Sequence, residues 1–543
     1  MIINDTIKQL SQEYTIVGQI DLNQWYTMPL FKRESWLQTQ LELVHKSAYE
    51  NKERIIVTIT NKDKQDAVDN LLHYLDKVDI TNFFVILLTN KSVKLTNKKE
   101  TDITVIAVDD ELVAETVTQT YDYNNTDLVK DIALTEQESY LLTESKTFCI
   151  YPWIHLHAYP TGEAYPCCHA EMRYSVGNTR KNTLEEIWNS PEQRELRVNM
   201  LNNVESPACT RCYEQEESGF FSGRKSANKH HGHHIGRVQM TDPTGHLNHF
   251  SMTYWDIRFS NLCNLSCRSC GHIFSSSWYQ DQVKLAGPEW ASKNKVLNIA
   301  GRDKDDMWNQ LMPHLDYVEQ IYFAGGEPLM MEEHYNILDE LERRGRFDVR
   351  LIYNTNFTHT KLKDREVFDY WRKFKSVAVG ASLDAMGPRA EYIRKGTEWD
   401  RVERNRRTML EQCPNVDFYI SPTLSILNAL HLPDFHRSWV EQGLIKAQDL
   451  NVNILQDPNH LRIDIATAKY KEKINSRYQD HLAWLRPLDR LNRATVGFES
   501  AVNFMMATDN TELIPKFWRK MTELDSIRNE DLLITIPELK SLK

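Results

Sequence analysis

The stretch Cys263-Asn264-Leu265-Ser266-Cys267-Arg268-Ser269-Cys270 places three thiols in one turn-sized loop. It follows Tyr254-Trp255-Asp256-Ile257-Arg258-Phe259, whose alternation predicts a strand. No other stretch constrains the fold as much, because three clustered thiolates make an incomplete cage. Tetrahedral zinc or a four-iron cluster ordinarily takes four protein ligands, so the loop either has a distant fourth ligand or leaves one metal position open to chemistry.

Nine cysteines in 543 residues are too few for a disulfide scaffold, and eight of them fall between Cys149 and Cys270. Such clustering points to metal in a reducing compartment. With 65 basic and 76 acidic residues the formal charge is -11, which argues against a nucleic-acid-coating role and favours a small-molecule or protein substrate. The start, Met1-Ile2-Ile3-Asn4-Asp5-Thr6-Ile7-Lys8, lacks a signal-peptide layout, and no apolar run approaches membrane-spanning length. The expectation is a cytoplasmic protein with no membrane partner.

Residues 1–133 contain three buried-strand patterns, Ile55–Ile59, Phe83–Leu88 and Ile103–Val108, with Ala67, Leu71, Leu75 and Val78 at helical spacing between the first two. This β-α-β pattern predicts an N-terminal α/β domain. It holds no phosphate-cradling glycine motif, so a scaffold or docking role is the simpler reading.

In residues 134–236, Cys149 precedes an alternating strand from Trp153 to Ala158, a turn at Pro160-Thr161-Gly162-Glu163, and a return strand ending in Pro166-Cys167-Cys168. Thr183-Leu184-Glu185-Glu186 is a capping box opening a helix, and Cys209-Thr210-Arg211-Cys212 adds a second close pair. The candidate ligand set is Cys149, one of Cys167 or Cys168, Cys209 and Cys212; spacing alone suits zinc or an iron–sulfur cluster. Lys229-His230-His231-Gly232-His233-His234 shows no strand or helix periodicity and is expected to be a solvated linker.

From 250 to 461 the chain alternates strands with helical patterns. After the strand before Cys263 come Ile321–Ala324, Val349–Tyr353, Val377–Leu383, Phe418–Ser421 and Leu450–Ile454. The rhythm predicts an α/β fold whose parallel sheet curves into a partial TIM-like barrel, with chemistry at the strands' C-terminal ends. Those ends carry Gly325-Gly326-Glu327, Asn354-Thr355-Asn356, Ser382-Leu383-Asp384 and Asn428, with Arg394 shortly after. Paired glycines would let a ligand approach the backbone. Residues 462–543 show helical periodicity at Tyr470–Leu485 and Phe517–Ile527, and are expected to cover the open side of the barrel.

The order of these segments resembles the radical S-adenosylmethionine (radical SAM) enzymes, built on a partial (β/α)6 barrel. The resemblance implies that Cys263, Cys267 and Cys270 hold a 4Fe-4S cluster with SAM on the fourth iron. It further implies SAM contacts at Gly325, Gly326, Glu327, Asn356, Ser382, Asp384, Arg394 and Asn428. The stretch from Cys149 to Arg224 resembles the twitch and SPASM modules of such enzymes, through Tyr165-Pro166-Cys167-Cys168, Val176-Gly177-Asn178, Leu184 to Trp188 and Cys209-x2-Cys212. It implies one auxiliary 4Fe-4S cluster on Cys149, Cys167, Cys209 and Cys212, with Cys168 as the alternative to Cys167. Those modules usually follow the core, whereas this one precedes it.

The implied activity is reductive cleavage of SAM to a 5′-deoxyadenosyl radical that takes hydrogen from a substrate, with a peptide or protein favoured over a sugar or other small molecule. An electron donor such as flavodoxin or ferredoxin is the implied partner. The competing reading is a non-catalytic zinc or iron–sulfur scaffold, which leaves Gly325-Gly326-Glu327 and Ser382-Leu383-Asp384 without a purpose. No catalytic side chain is assigned by the sequence.

Overall fold

A computed structural model describes residues 16–21, 54–58, 85–89, 103–107, 134–217 and 221–542. The chain divides into two compact units, Met1–Thr126 and Asp127–Lys543. In the first, four parallel strands, β1 (Ile16–Asp21), β2 (Arg54–Thr58), β3 (Val85–Thr89) and β4 (Ile103–Ala107), lie in sequential order. The last three coincide with the apolar runs of the sequence; β1 is additional. The helix expected over Ala67 to Val78 lies outside the described residues.

The second unit is organised on an eight-stranded sheet. Its strands are β5 (His155–Ala158), β6 (Glu163–Tyr165), β7 (Gly177–Asn178), β8 (Tyr254–Ile257), β10 (Gln320–Phe323), β11 (Arg350–Thr355), β14 (Val377–Ala381) and β16 (Asp417–Ile420), after β9 (Ser266–Cys267) is set aside as part of a small pair, and β12 (Lys361–Leu362) with β13 (Arg365–Glu366) as a hairpin. The order is β16-β14-β11-β10-β8-β5-β6-β7. From β16 to β5 every neighbour is parallel; β5, β6 and β7 then meander antiparallel. A bridge from Ile420 to Leu450 and the parallel pair of β17 (Thr423–Leu424) with β18 (Asn453–Ile454) bring the sixth predicted strand beside the fifth. β15 (Arg394–Lys395) pairs with β9.

Residues 134–236 and 250–461 are therefore joined through main-chain hydrogen bonds. His155, Leu156, His157 and Ala158 of β5 lie in register with Tyr254, Trp255, Asp256 and Ile257 of β8. The thiol-bearing hairpin is a sheet extension rather than an appendage.

Alternation gives the sheet two different faces. Trp255, Ile257, Ile321, Phe323, Leu351, Tyr353, Val377, Val379, Phe418 and Ile420 are buried in the hydrophobic core. The helix Glu332–Arg343 contributes Tyr335, Ile337, Leu338 and Leu341 to that core, at the spacing of one helical stripe. The other face is polar: His155, His157, Tyr254, Asp256, Arg258, Tyr322, Asn354 and Tyr419. His155 stacks on Tyr254 with ring centroids 4.3 Å apart, Arg258 lies over Tyr322, and the Asn354 amide donates to the Tyr322 hydroxyl at 2.6 Å. Gly380 sits between Asn354 and the Tyr419 ring, where a Cβ would come within 2.9 Å of one and 3.0 Å of the other.

The C-terminal residues form the helices Ala468–Leu485, Arg493–Ala507 and Ile514–Arg528. The last of these braces the three-thiol loop. Arg268 reaches Asp525 and Glu530, Tyr392 donates to Asp525 at 2.8 Å, and Arg528 donates to the Ser266 carbonyl at 2.8 Å. The histidine-rich stretch corrects the sequence reading. It closes the helix Gly223–His231 and continues as a 3-10 turn, with His231 and His234 buried against the sheet. Aromatic stacking, invisible to periodicity, orders it: the His231 ring lies 5.3 Å from Tyr254 and only 9° from parallel.

Candidate iron–sulfur and cofactor site

The three-thiol loop leaves the C-terminal end of β8. Ser276 and Ser277 donate to the Cys263 carbonyl at 3.3 and 2.7 Å, and the Trp278 indole donates to the Cys267 carbonyl at 2.7 Å. Cys267 pairs with Arg394 through β9 and β15, and the Arg394 guanidinium reaches its Sγ at 3.6 Å. The Asn356 amide lies 3.9 Å from the Cys263 Sγ. Burial and the Cys267 thiol push Cys270 up to about 12, and the same causes raise Cys263. All three thiols are free. A desolvated trio is costly as bare thiolates and well matched to a cationic iron centre, which compensates the charge that burial penalises.

Gly325 and Gly326 have φ of 83° and 55°. A Cβ on Gly326 would stand 2.3 Å from the Leu262 carbonyl oxygen, and one on Gly325 2.6 Å from the Arg258 Cβ. The glycines are thus required by the close seating of this turn on the cysteine loop, a protein contact rather than ligand access. Glu327 fixes the same junction. Its N–H donates to the Leu262 carbonyl at 2.7 Å, while its carboxylate accepts from Leu329 N–H, the Thr355 hydroxyl and Asn356 N–H at 3.1, 2.6 and 2.7 Å. Burial pushes its carboxyl up to about 7 despite these bonds.

Asp384 holds Arg394 in a two-pronged ion pair at 2.8 and 2.9 Å, and accepts from Thr423 N–H at 2.8 Å. Asn428 is fully buried, its amide donating to the Asp384 and Thr423 carbonyls and its oxygen accepting from Ser425 N–H. Asp384 and Asn428 are buried, whereas Arg394 and Ser382 are only half-buried.

The second thiol group lies beyond β5. Burial raises the Cys149 thiol, with Cys209 and Cys212 adding charge repulsion, and Cys167 is raised by burial, Cys168, Cys149 and Cys209. Burial and Cys212 push Cys209 up to about 12. Arg224 sits among them, donating to the Ser145 and Phe148 carbonyls at 2.8 Å and paired with Glu216. Four desolvated thiols of this kind have the chemistry of an iron–sulfur donor set. Cys168 has different company: burial and Asp256 push its thiol up to about 12, with Arg258 and Arg211 opposing. The adjacent thiols thus differ in their charged neighbours, Cys149 and Cys209 for Cys167 and Asp256 and Arg258 for Cys168.

Between the two thiol groups the polar sheet face carries a set that sequence reasoning did not single out. The His157 Nδ1 meets the Asp256 carboxylate at 2.9 Å, and Arg258 meets its other oxygen at 2.7 Å; His157 and Asp256 are fully buried. Burial works against the Asp256 anion, yet Arg258 and His157 hold its carboxyl far below the usual range. The available signal was the placing of Asp256 and Arg258 at alternate positions of an otherwise apolar strand.

Residues 149–213 match the family model SPASM, described as an iron–sulfur cluster-binding domain. Among solved structures, the chain is similar to native anSMEcpe with bound AdoMet, at 19% identity over 42% of this chain and 60% of that one, TM-score 0.28. It is also similar to Streptococcus suis SuiB bound to S-adenosylmethionine, at 12% identity over 54% of this chain and 62% of that one, TM-score 0.25. The matched regions span less than two thirds of either chain. No curated protein matches. Residues 149–213 are thus similar to a SPASM iron–sulfur cluster-binding domain, and they are joined through β5 to a parallel sheet that carries the C-x3-C-x2-C loop at its rim.

Proposed function

We propose that Cys263, Cys267 and Cys270 bind the SAM-dependent cluster, that Cys149, Cys167, Cys209 and Cys212 bind an auxiliary one, and that the sheet from β8 to β18 serves as a partial (β/α)6 barrel. When bound, the first cluster supplies the electron for reductive SAM cleavage and hydrogen abstraction. Arg394, fixed by Asp384, presents positive charge beside Cys267 and suits the SAM carboxylate. The Gly325-Gly326 turn and Ser382 border the same rim, and Asn428 keeps the Asp384 loop in place. The substrate rests on the polar face around His157, Asp256 and Tyr322, between the two thiol groups.

The observation that carries the reading is the locking of the three-thiol loop between Glu327 and Arg394, because a structural zinc knot would need neither. A peptide or protein substrate is supported by the resemblance to twitch and SPASM enzymes, with flavodoxin or ferredoxin as the electron donor class. The test is anaerobic reconstitution, reduction with dithionite and measurement of 5′-deoxyadenosine from SAM. Zinc in both thiol sites and no 5′-deoxyadenosine would overturn the assignment.

A further inference from the structure

A separate group of ligating side chains stands away from every cysteine. The Nε2 atoms of His233 and His234 each lie 3.0 Å from the same oxygen, Oε2 of Glu319. These three atoms all fall within 4.8 Å of one another. Glu319 immediately precedes β10, and its backbone is tied to Thr253, just before β8, and to Arg350 at the start of β11. The group therefore sits at the N-terminal ends of the strands, the opposite end of the sheet from the three-thiol loop.

From this geometry we infer a divalent metal site, zinc by its ligand chemistry, held by His233, His234 and Glu319. Donors about 2.1 Å from one ion are separated by about 3.0 Å at right angles and about 3.4 Å at tetrahedral angles, so the observed spacing suits a shared ion. The simpler alternative is two imidazole N–H groups donating to one carboxylate. Convergence of both on a single oxygen, with the rings 4.1 Å apart, is a crowded way to place two donors and an economical way to place two ligands. Two imidazoles with one carboxylate are a recurring zinc set.

The surroundings define the site further. The Thr253 hydroxyl lies 3.3 Å from the His234 Nε2, and His231 stands beside the pair, stacked on Tyr254. Arg237 also faces Glu319, but its guanidinium donates to the Ser251 carbonyl at 2.6 Å. The imidazoles are nearly enclosed while the Glu319 side chain is one-third exposed, so solvent could complete the coordination from that side. An ion there would join the segment following the SPASM domain to the base of β8 and β10, and the inference does not depend on the radical SAM reading.

The test uses the full chain with both iron–sulfur clusters reconstituted, loaded with zinc and freed of excess by gel filtration. Wild type is expected to retain about one zinc more per chain than Glu319→Gln, with iron and sulfide equal in both. Equal zinc in the two proteins, or zinc that disappears together with iron, overturns the site. Zinc K-edge absorption of the wild-type holoprotein reads the same centre without a variant. Imidazole and oxygen ligands at about 2.0–2.2 Å support it; a sulfur shell at about 2.3 Å, or no retained zinc, overturns it.

Discussion

The two thiol groups are made of the same residue type and stand on the same sheet, yet they are built oppositely. Cys149, Cys167, Cys209 and Cys212 come from separate parts of a helix-and-hairpin module, with Arg224 beside three of them and bound to main-chain carbonyls. Cys263, Cys267 and Cys270 occupy a single loop. Their surroundings are polar side chains of other elements: Asn356 just after β11, Arg394 from β15, and Glu327 under the loop itself. Four thiols close a coordination sphere, whereas three thiols with a polar rim leave it incomplete. The difference teaches that the open group has the donor set for chemistry at a free position, as proposed, and that the other group is tied to it through β5 and the seam with β8.

The strongest way to break this comparison is to remove the open group. Alanine at Cys263, Cys267 and Cys270 together should abolish 5′-deoxyadenosine formation. The auxiliary group should keep about four irons per chain, as expected of one 4Fe-4S cluster. Persistent 5′-deoxyadenosine in that variant would show the roles of the two groups to be misassigned.

A smaller effect is expected at the ion pair behind the open group. Asp384 is nearly fully buried and anchors Arg394 through two bonds. Asp384→Ala leaves a half-buried guanidinium without its carboxylate partner, which costs up to about 3 kcal/mol. Denaturant unfolding should show that loss, and equilibrium SAM binding should weaken because Arg394 is no longer held beside Cys267. Unchanged SAM affinity with a full cluster would remove Arg394 from the site.

Much of this contrast was legible in the sequence, for identifiable reasons. Each strand from Tyr254 to Ile454 carries enough β-branched and aromatic residues to be recognised, and cysteine spacing marks both thiol groups. The two-faced character of the sheet was harder to read. Tyr, Trp and Phe count as apolar in a pattern, so Tyr254, Tyr322 and Tyr419 concealed a polar face made with His157, Asp256 and Arg258. The parallel pairing of β5 with β8 joins residues 99 positions apart, as His157 and Asp256 show, and no local signal reports such a partner. The need for Gly325 and Gly326 was visible, but its cause, collision with Arg258 and Leu262, is tertiary. Arg268, Asp525 and Glu530 looked like ordinary surface charges until the C-terminal helix brought them together.

The two regions should also answer pH with opposite sign. At the seam, burial lowers His155 to about 4, so its contribution to stability is full above its unfolded value near 6.5 and is lost as pH falls toward 4. At the rim, burial raises Glu327 to about 7; its contribution is full below about 4.5 and is lost as pH rises through 7. Between about 4.5 and 6.5 each changes stability by roughly 1.4 kcal/mol per pH unit, in opposing directions. Glu327→Gln should therefore steepen the acid loss of stability in the cluster-free protein, and His155→Gln should flatten it. Parallel pH profiles for wild type and both variants would show that neither group is coupled to folding as its burial implies.

The finest test separates the adjacent pair Cys167 and Cys168, which share a hairpin end but face different neighbours. Cys167 is raised by the charges of Cys149 and Cys209, whereas Cys168 responds to Asp256 and Arg258 on the polar face. A serine hydroxyl replaces a thiolate poorly as an iron ligand but fills nearly the same space. Cys167→Ser should therefore cost the auxiliary cluster, seen as a loss of about four irons per chain. Cys168→Ser should retain full iron and alter stability by less than about 1 kcal/mol, since a small buried group exchanges one weak hydrogen-bonding partner for another beside Asp256. Iron content and unfolding curves of the two variants, prepared side by side, measure the difference. If Cys168→Ser loses the iron and Cys167→Ser keeps it, the closed cage is built from the other cysteine, and the thiol facing Asp256 and Arg258 belongs to the cluster rather than to the substrate face.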